Sequence, residues 1–224
     1  MSLWTLLEIL QTTYCERSGF GPFDEPLNVI SNLAFAIAAV LAARPMRAFP
    51  GISPAARLLP WSLATVALGS TIYHTYRSAV TFVVDLLFLS AFIVLSIYLV
   101  LRKLLVSTSD AALLSTAFVG LQIALLILVP NDFLNGSTPH VATLLFLLQI
   151  KALTAHRYSS IEWYVVPLVI FYALAVVFRT IDMTICPWLP AGSHFLWHIS
   201  ASAAGFFVVR FVTLIEVATR RTQA

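Results

Sequence analysis

The chain has 224 residues, of which 60% are hydrophobic and only 10% are charged, and its mean hydropathy is +0.92. A soluble domain has about 25% charged residues. The composition therefore argues against a soluble globular protein and favours one whose main solvent is lipid, where each ionised side chain is costly. The net charge of +3 needs no nucleic-acid partner, because basic residues that face anionic lipid headgroups explain it.

Seven apolar stretches follow one another along the chain and predict an all-α integral membrane protein, a bundle of seven transmembrane helices. They cover residues 27–43, 58–73, 79–101, 111–129, 141–155, 163–178 and 195–215. Several approach the roughly 20 residues that a helix needs to cross a bilayer. A count of five or six spans is also possible from the sequence, because the fifth stretch is short and contains Lys151. We expect a single domain over residues 1–224, with an extramembrane segment 1–26 and a cytoplasmic tail 216–224.

The distribution of Lys and Arg predicts the orientation of this bundle. With seven spans, ten of these residues fall on one side of the membrane and three, Arg17, Arg77 and Arg179, fall on the other. The positive-inside rule then puts the N-terminus outside or in a lumen and the C-terminus in the cytoplasm. Cys15 and Cys186 both lie on the outer side, where two cysteines can pair or remain unrelated thiols.

Ionisable residues inside a predicted span mark functional sites by default, and the chain has few of them. His74 closes the second stretch, one helical turn after Ser70 and on the same face. His194 and His198 open the seventh stretch at the i, i+4 spacing with which one helix face can chelate a metal ion. Asp85 lies two turns into the third stretch, about 9 Å deep. All these groups therefore fall in one layer in the outer half of the membrane.

Three neutral imidazoles with one open position are typical of catalytic zinc, so we predict a zinc ion held by His74, His194 and His198. Such zinc polarises a carbonyl and acidifies a water, and a buried carboxylate such as Asp85 can accept the proton of that water. The competing interpretations are histidines that only make helix contacts and haem ligation by two facing imidazoles. A retinal pigment is disfavoured, because the seventh stretch has no lysine for a Schiff base. His140, at the outer end of the fifth stretch, is interpreted as an interfacial residue.

This set of residues resembles the alkaline ceramidases, which belong to a superfamily of seven-helix membrane hydrolases that includes the adiponectin and progestin receptors. The superfamily pattern is Ser-x-x-x-His, an Asp eleven residues later and His-x-x-x-His in the last span. Three further elements narrow the resemblance to the ceramidase branch: Tyr14-Cys15-Glu16, Glu25-x-x-Asn28-x-x-Ser31-Asn32 and Asp182-x-x-x-Cys186. The resemblance spans nearly the whole chain.

The resemblance implies a function and a role for each matched residue. His74, His194 and His198 would bind zinc, Asp85 would orient or deprotonate the water, and Ser70 would help to stabilise the oxyanion. The implied reaction is hydrolysis of the N-acyl bond of a ceramide-like membrane lipid, which releases a sphingoid base and a fatty acid.

The resemblance also implies a disulfide between Cys15 and Cys186. Family members of the animal type bind calcium through acidic residues of the N-terminal segment. Glu16, Asp24 and Glu25 are therefore candidate calcium ligands, since calcium prefers carboxylate oxygens. The segment departs from the family pattern at several positions, and a solvated acidic N-terminus is the alternative interpretation.

Two other functions stay open. A hydrolase of acyl esters in phospholipids would share the chemistry and would differ only in its pocket. A receptor-like seven-helix protein would hold zinc structurally, with Asp85 as a fourth ligand in place of water. For either hydrolase, the expected partner is a membrane lipid.

Overall fold

The computed structural model describes residues 14–19, 21–49, 51–105, 107–158 and 161–221, and every regular element in these ranges is helical. The helices in chain order are α1 (Pro26–Ser31), α2 (Leu33–Met46), α3 (Pro54–Thr75), α4 (Ala79–Leu104), α5 (Thr108–Leu128), α6 (Thr138–Arg157), α7 (Val165–Ile185) and α8 (His194–Arg221). Short 3-10 helices, Phe133–Gly136 and Glu162–Tyr164, precede α6 and α7. The predicted all-α class is confirmed.

In the described ranges, six helical segments are long and apolar enough to cross a membrane. α1 and α2 together form the first, Pro26–Met46, and the other five lie in α4 to α8. The chain is therefore a multi-pass membrane protein. α3 has 22 residues but is not among the six, so the predicted seventh crossing stays a prediction. α8 continues to Arg221, which means that the predicted tail, 216–224, begins inside this helix.

Side-chain caps set the point at which α3 and α4 begin. The hydroxyl of Ser53 accepts a hydrogen bond of 3.2 Å from a backbone N–H in the first turn of α3, and Pro54 follows at the first helical position. This combination is typical of helix starts. Ser78 and Thr81 form a reciprocal capping box at the start of α4. Because α4 begins so soon after α3 ends, the chain reverses directly after His74.

The start of α8 is capped from α7, by the fully buried carboxylate of Asp182. Its Oδ1 accepts hydrogen bonds from the backbone N–H groups of Ser193 at 2.7 Å and His194 at 2.9 Å. Its Oδ2 accepts one from the N–H of Cys15 at 2.9 Å. Gly192 has φ +63°, and a Cβ there would lie 2.2 Å from Oδ1 of Asp182. Only glycine can therefore let the loop pass so close to this carboxylate.

α8 is the central helix of the bundle. In its most apolar 18-residue window 56% of the residues are buried, against at most 33% in any other candidate span. It packs against α7 and α2, and α3 packs against α2 and α4. Val209, Phe211 and Ile215 of α8 are fully buried. Further along, Glu216 accepts hydrogen bonds from the N–H and the hydroxyl of Ser53, at 2.7 and 2.6 Å, and so ties α8 to the start of α3.

The outward surface of the bundle is apolar. Large hydrophobic side chains are exposed along the outside of the helices, as with Leu113, Ile127 and Leu128 of α5. So large an exposed apolar surface would be unfavourable in water and suits the lipid of a bilayer. A helix can lie in lipid because its backbone polar groups are hydrogen bonded within the helix.

A close approach of α3 to α4 positions two residues of the predicted site. A Cβ at Gly69 would lie 2.7 Å from the ring of Phe88 and 3.2 Å from Cα of Asp85. A larger side chain would therefore push the two helices apart. The missing Cβ lets Ser70, the next residue of α3, sit beside the turn of α4 that carries Asp85.

A disulfide joins Cys15 to Cys186, with 171 positions of sequence between them and a Cα–Cα distance of 5.5 Å. The predicted pairing is confirmed. The bond fastens the N-terminal segment to the loop between α7 and α8, next to the hydrogen bond from Cys15 to Asp182.

We expect the double variant Cys15→Ser/Cys186→Ser to be less stable than the wild type. Closing a loop of this length removes chain entropy from the unfolded state, a stabilisation of at most about 5 kcal/mol. Thermal unfolding of the purified chain in detergent measures the effect. Reductant should lower the melting temperature of the wild type toward that of the variant and leave the variant unchanged. Equal melting temperatures for the two proteins without reductant would contradict the expectation.

Candidate metal centre

Three histidines converge where α3 ends and α8 begins. The ring centroids of His74, His194 and His198 lie 4.7 to 5.2 Å apart, and one ligand nitrogen from each lies within 4.8 Å of the others. Each residue is only 1% exposed. Within the described ranges, no other set of three or more His, Cys, Asp or Glu residues comes as close together. A buried group of three imidazoles at this spacing can hold one metal ion.

Hydrogen bonds at Nδ1 orient two of the three imidazoles. Nδ1 of His74 pairs with Oε2 of Glu25, and Nδ1 of His198 lies 2.7 Å from Oγ of Ser31. Each ring then keeps its Nε2 for a metal ion, and partners of this kind usually fix the orientation of metal-binding histidines. Nδ1 of His194 is buried without a hydrogen-bond partner in the described part of the chain. Such an orphaned nitrogen is unfavourable in a purely structural core, so the donor set fits a metal ion.

Arg17 holds the carboxylate of Glu25 in place. Its Nε donates to Oε1 of Glu25, and its Nη2 donates to the carbonyl oxygen of His74 at 3.2 Å. Asn28 donates to Oε2 of Glu25 at 3.0 Å. Burial opposes ionisation of Glu25, but the hydrogen bonds from His74, Asn28 and Arg17 outweigh it and keep its pKa below the ordinary value. The ionised carboxylate therefore keeps a proton on Nδ1 of His74 and leaves the lone pair on Nε2.

The three acidic residues predicted as calcium ligands do not form one metal-binding group in the described part of the chain. The carboxylate of Glu16 accepts hydrogen bonds of 2.6 and 2.9 Å from two backbone N–H groups at the start of α1. Asp24 accepts one from the backbone of its own turn, and Glu25 is engaged by Arg17. Their oxygens are not gathered within metal-binding distance of one another in the described chain. The calcium prediction therefore stays a prediction, and each of the three carboxylates accepts hydrogen bonds from donors of the protein itself.

All five residues that the sequence predicted for the centre line one cavity of about 410 Å³. Beside the three histidines these are Ser70, which is 4% exposed, and Asp85. Oγ of Ser70 lies 3.5 Å from Nε2 of His198. The structure thus brings three histidines that could hold a metal ion, a hydroxyl and a carboxylate to the same void. Its volume is typical of small-molecule sites, which measure about 300–1,000 Å³.

Much of the wall of this cavity is apolar. Phe35, Leu89 and Ile93 line it and also line a second void of about 70 Å³, which is bounded almost entirely by apolar side chains. Trp197 of α8 borders both voids as well. The metal centre therefore opens toward space that suits a hydrocarbon chain.

Tyr14, His140 and Arg179 also line the cavity, although the sequence pattern does not indicate them as site residues. The ring centroid of Tyr14 lies 4.0 Å from that of His194, so the N-terminal segment covers the histidines. His140, interpreted from the sequence as an interfacial residue, lies in the first turn of α6 and lines the cavity. Arg179 was counted only as an outer-side basic residue, yet it is 9% exposed and lines the cavity too. The sequence does contain one indication for Arg179, because this residue lies one turn before Asp182 on the same helix face.

We expect Glu25→Gln to weaken metal binding by about 10–100-fold, because it removes the charge that orients a ligand without removing the ligand. Arg17→Met should act in the same direction and less strongly, since it only frees Glu25. Competition with a chelator measures the affinity of the purified chain for the metal.

The matched control is Asp24→Asn, which removes a neighbouring carboxylate that makes its contacts within the N-terminal turn and should leave the affinity unchanged. If Glu25→Gln and Asp24→Asn bound the metal equally well, the proposed contact between Glu25 and His74 would have no bearing on the centre.

No protein-family model matches the chain, and no curated protein matches it. The chemistry of the centre therefore has to be inferred from its own residues. Those residues are a buried triad of histidines with oriented rings, a hydroxyl and a carboxylate in a largely apolar cavity.

Proposed function

We propose that this chain is a zinc-dependent intramembrane amidase that hydrolyses the N-acyl bond of ceramide-like lipids. The observation that carries the proposal is the meeting of His74, His194 and His198 with Ser70 and Asp85 in one cavity of about 410 Å³. The products would be a fatty acid and a sphingoid base. The resemblance to the alkaline ceramidases adds the substrate class, and the apolar walls of the cavity suit its acyl chain.

Zinc is the metal that this donor set favours. Three neutral imidazoles with one open position are typical of its catalytic sites. Bound by the three histidines, zinc would supply Lewis acidity, which polarises a carbonyl and lowers the pKa of a water to about 7. Glu25 and Ser31 keep two of the ligand rings in orientation through their Nδ1 atoms.

Each remaining residue of the centre has a defined task in the hydrolysis. Asp85 accepts the proton of the water that attacks the amide carbon. The hydroxyl of Ser70, beside His198, donates a hydrogen bond to the carbonyl oxygen as negative charge develops there. When the C–N bond breaks, the proton held by Asp85 passes to the leaving nitrogen. The amine therefore leaves neutral and the acyl group keeps the oxygen of the water.

The disulfide supports a seventh crossing, by α3. Cys15 and Cys186 are bonded and so lie on the same side of the membrane, whereas five of the six apolar spans lie between them. An odd number of crossings would separate the two cysteines. One more crossing is needed, and α3, with 22 residues, is about 33 Å long, enough for a hydrocarbon core of about 30 Å. The split of Lys and Arg then favours an outer N-terminus and a cytoplasmic C-terminus.

Epitope tags test this topology. With seven crossings, a tag at the N-terminus should be accessible to antibody in intact cells, whereas a tag at the C-terminus should become accessible only after permeabilisation. Two tags on the same side would contradict the seventh crossing.

We expect the purified, zinc-loaded chain to release fatty acid from ceramide. His198→Ala should lose both zinc and activity. Asp85→Asn should keep zinc and lower kcat by about 10²–10⁴-fold, the usual contribution of a general base. Ser70→Ala should lower kcat by about 10²–10³-fold, as for other oxyanion donors. Ser90→Ala is the matched control, because Ser90 lines the same cavity and has no task in the reaction.

Metal analysis and a lipid panel of ceramides, N-acyl ethanolamines and phospholipids give the outcome. A zinc-loaded chain that cleaves phospholipid esters and leaves every amide intact would replace the amidase with an ester hydrolase. Zinc without any hydrolysis, and with an oxygen of Asp85 near 2 Å from the metal, would favour a structural role for the ion.

A further inference from the structure

Two polar side chains of the main cavity have no task in the proposed hydrolysis. They are His140, in the first turn of α6, and Gln122 of α5, and both line the same void as the three histidines of the centre. The two helices are consecutive and pack against each other. A polar group at membrane depth is costly unless it has a hydrogen-bond partner. These two side chains therefore call for polar partners in the cavity.

One nitrogen of His140 is engaged within the protein. Its Nδ1 lies 3.2 Å from the hydroxyl oxygen of Tyr172 on α7, a contact that orients the ring. The residue is partly exposed and lines the cavity. A ring bound through Nδ1 keeps Nε2 for a second partner, as an acceptor or as a donor according to the tautomer. Nε2 of His140 is therefore available to a ligand in the cavity.

Trp197 places His140 close to the metal centre. Its ring centroid lies 4.5 Å from that of His140 and 6.4 Å from that of His194, and it immediately precedes His198 in the chain. The indole thus neighbours both His140 and the metal-binding group. A substrate whose carbonyl lies at the histidines has its amine side only a few bonds away, which brings groups on that side within reach of His140.

Gln122 brings an unsatisfied amide to the same cavity. Its side-chain nitrogen is buried and has no hydrogen-bond partner in the described part of the chain. This nitrogen carries two N–H donors, and a buried polar group left without a partner is rare in folded proteins unless a water or a ligand binds it. Gln122 therefore offers donors to an oxygen atom of a bound molecule.

We propose that His140 and Gln122 hydrogen bond the hydroxyl groups on the amine side of the substrate. The inference rests on the proposed amidase function and keeps its substrate class. In a ceramide-like lipid, the carbon attached to the amide nitrogen is flanked by two carbons that each carry a hydroxyl. A hydroxyl both donates and accepts, so it pairs with either tautomer of His140 and with an N–H of Gln122. An amide without these hydroxyls leaves the two side chains unpaired and is therefore disfavoured.

The test uses N-palmitoyl amides that differ only in the hydroxyls of the sphinganine base. They are N-palmitoylsphinganine, its 1-deoxy and 3-deoxy analogues, and the amide that lacks both hydroxyls. The value of kcat/KM is measured on the zinc-loaded full chain in neutral detergent. Binding of the same lipids is followed by native mass spectrometry, and competition with a chelator measures the affinity for zinc.

We expect the wild type to favour N-palmitoylsphinganine over each mono-deoxy analogue by about tenfold in kcat/KM, the equivalent of one net hydrogen bond. His140→Phe should bring one of the two ratios toward one and should leave the affinity for zinc unchanged. Gln122→Leu should do the same for the other ratio. His140→Gln should keep part of the preference, because an amide donates and accepts as the imidazole does.

His156→Phe is the matched control. His156 is exposed near the far end of the same helix, α6, and lies outside the lining of both voids. Both ratios should therefore stay at their wild-type values in this variant.

Two outcomes would overturn the inference and leave the amidase intact. One is a wild-type chain that cleaves the hydroxylated amide and its deoxy analogues equally well. The other is that His140→Phe and Gln122→Leu each change kcat/KM of every amide by the same factor, as expected of side chains that only pack helices together. Failure of the amidase looks different: the zinc-loaded chain hydrolyses no amide, whether or not the hydroxylated one binds preferentially. If His140→Phe does not fold, the wild-type and His140→Gln ratios still decide.

Discussion

The buried carboxylate of Asp182 is the contact on which the arrangement of the centre depends. It accepts backbone N–H groups from Cys15, Ser193 and His194 and so joins the N-terminal segment, α7 and the start of α8 at one point. A charged carboxylate with three N–H donors is stable in a low dielectric, whereas the same group without them would be strongly unfavourable. The first turn of α8, and with it the histidine pair, is held by this contact. The disulfide between Cys15 and Cys186 secures the same junction covalently.

The N-terminal segment belongs to the metal centre although it lies outside the helices. Tyr14 covers the histidines, and Glu25, held by Arg17, orients His74. Binding of a calcium ion by this acidic segment would require its carboxylates to face one another. Here a guanidinium within the chain neutralises Glu25, and the backbone of α1 engages Glu16. The segment is thus ordered by the protein's own donors.

Ionisable side chains of both signs line the cavity. Asp85 lines it together with the three histidines and Ser70, and Arg179 lines the same void, where its guanidinium carbon lies 5.6 Å from the ring centroid of Trp197. Apolar side chains make up much of the remaining wall. The cavity therefore offers both polar and apolar walls to a ligand.

The sequence by itself determined the helical membrane class, and it indicated five residues that the structure gathers around one cavity. Hydropathy sets where helices cross and therefore the depth of His74, Asp85 and His194, while the i, i+4 rule pairs His194 with His198 on one face. Only the tertiary structure decided which residues stand around the cavity, because depth along a helix says nothing of the rotation of that helix about its axis or of the path of a loop. The rotation of their helices turns Arg179 and His140 toward the cavity. The path of the N-terminal segment brings Glu25 to His74. The calcium prediction stays a prediction, because neighbouring carboxylates in a sequence share a site only if the backbone turns them toward one another.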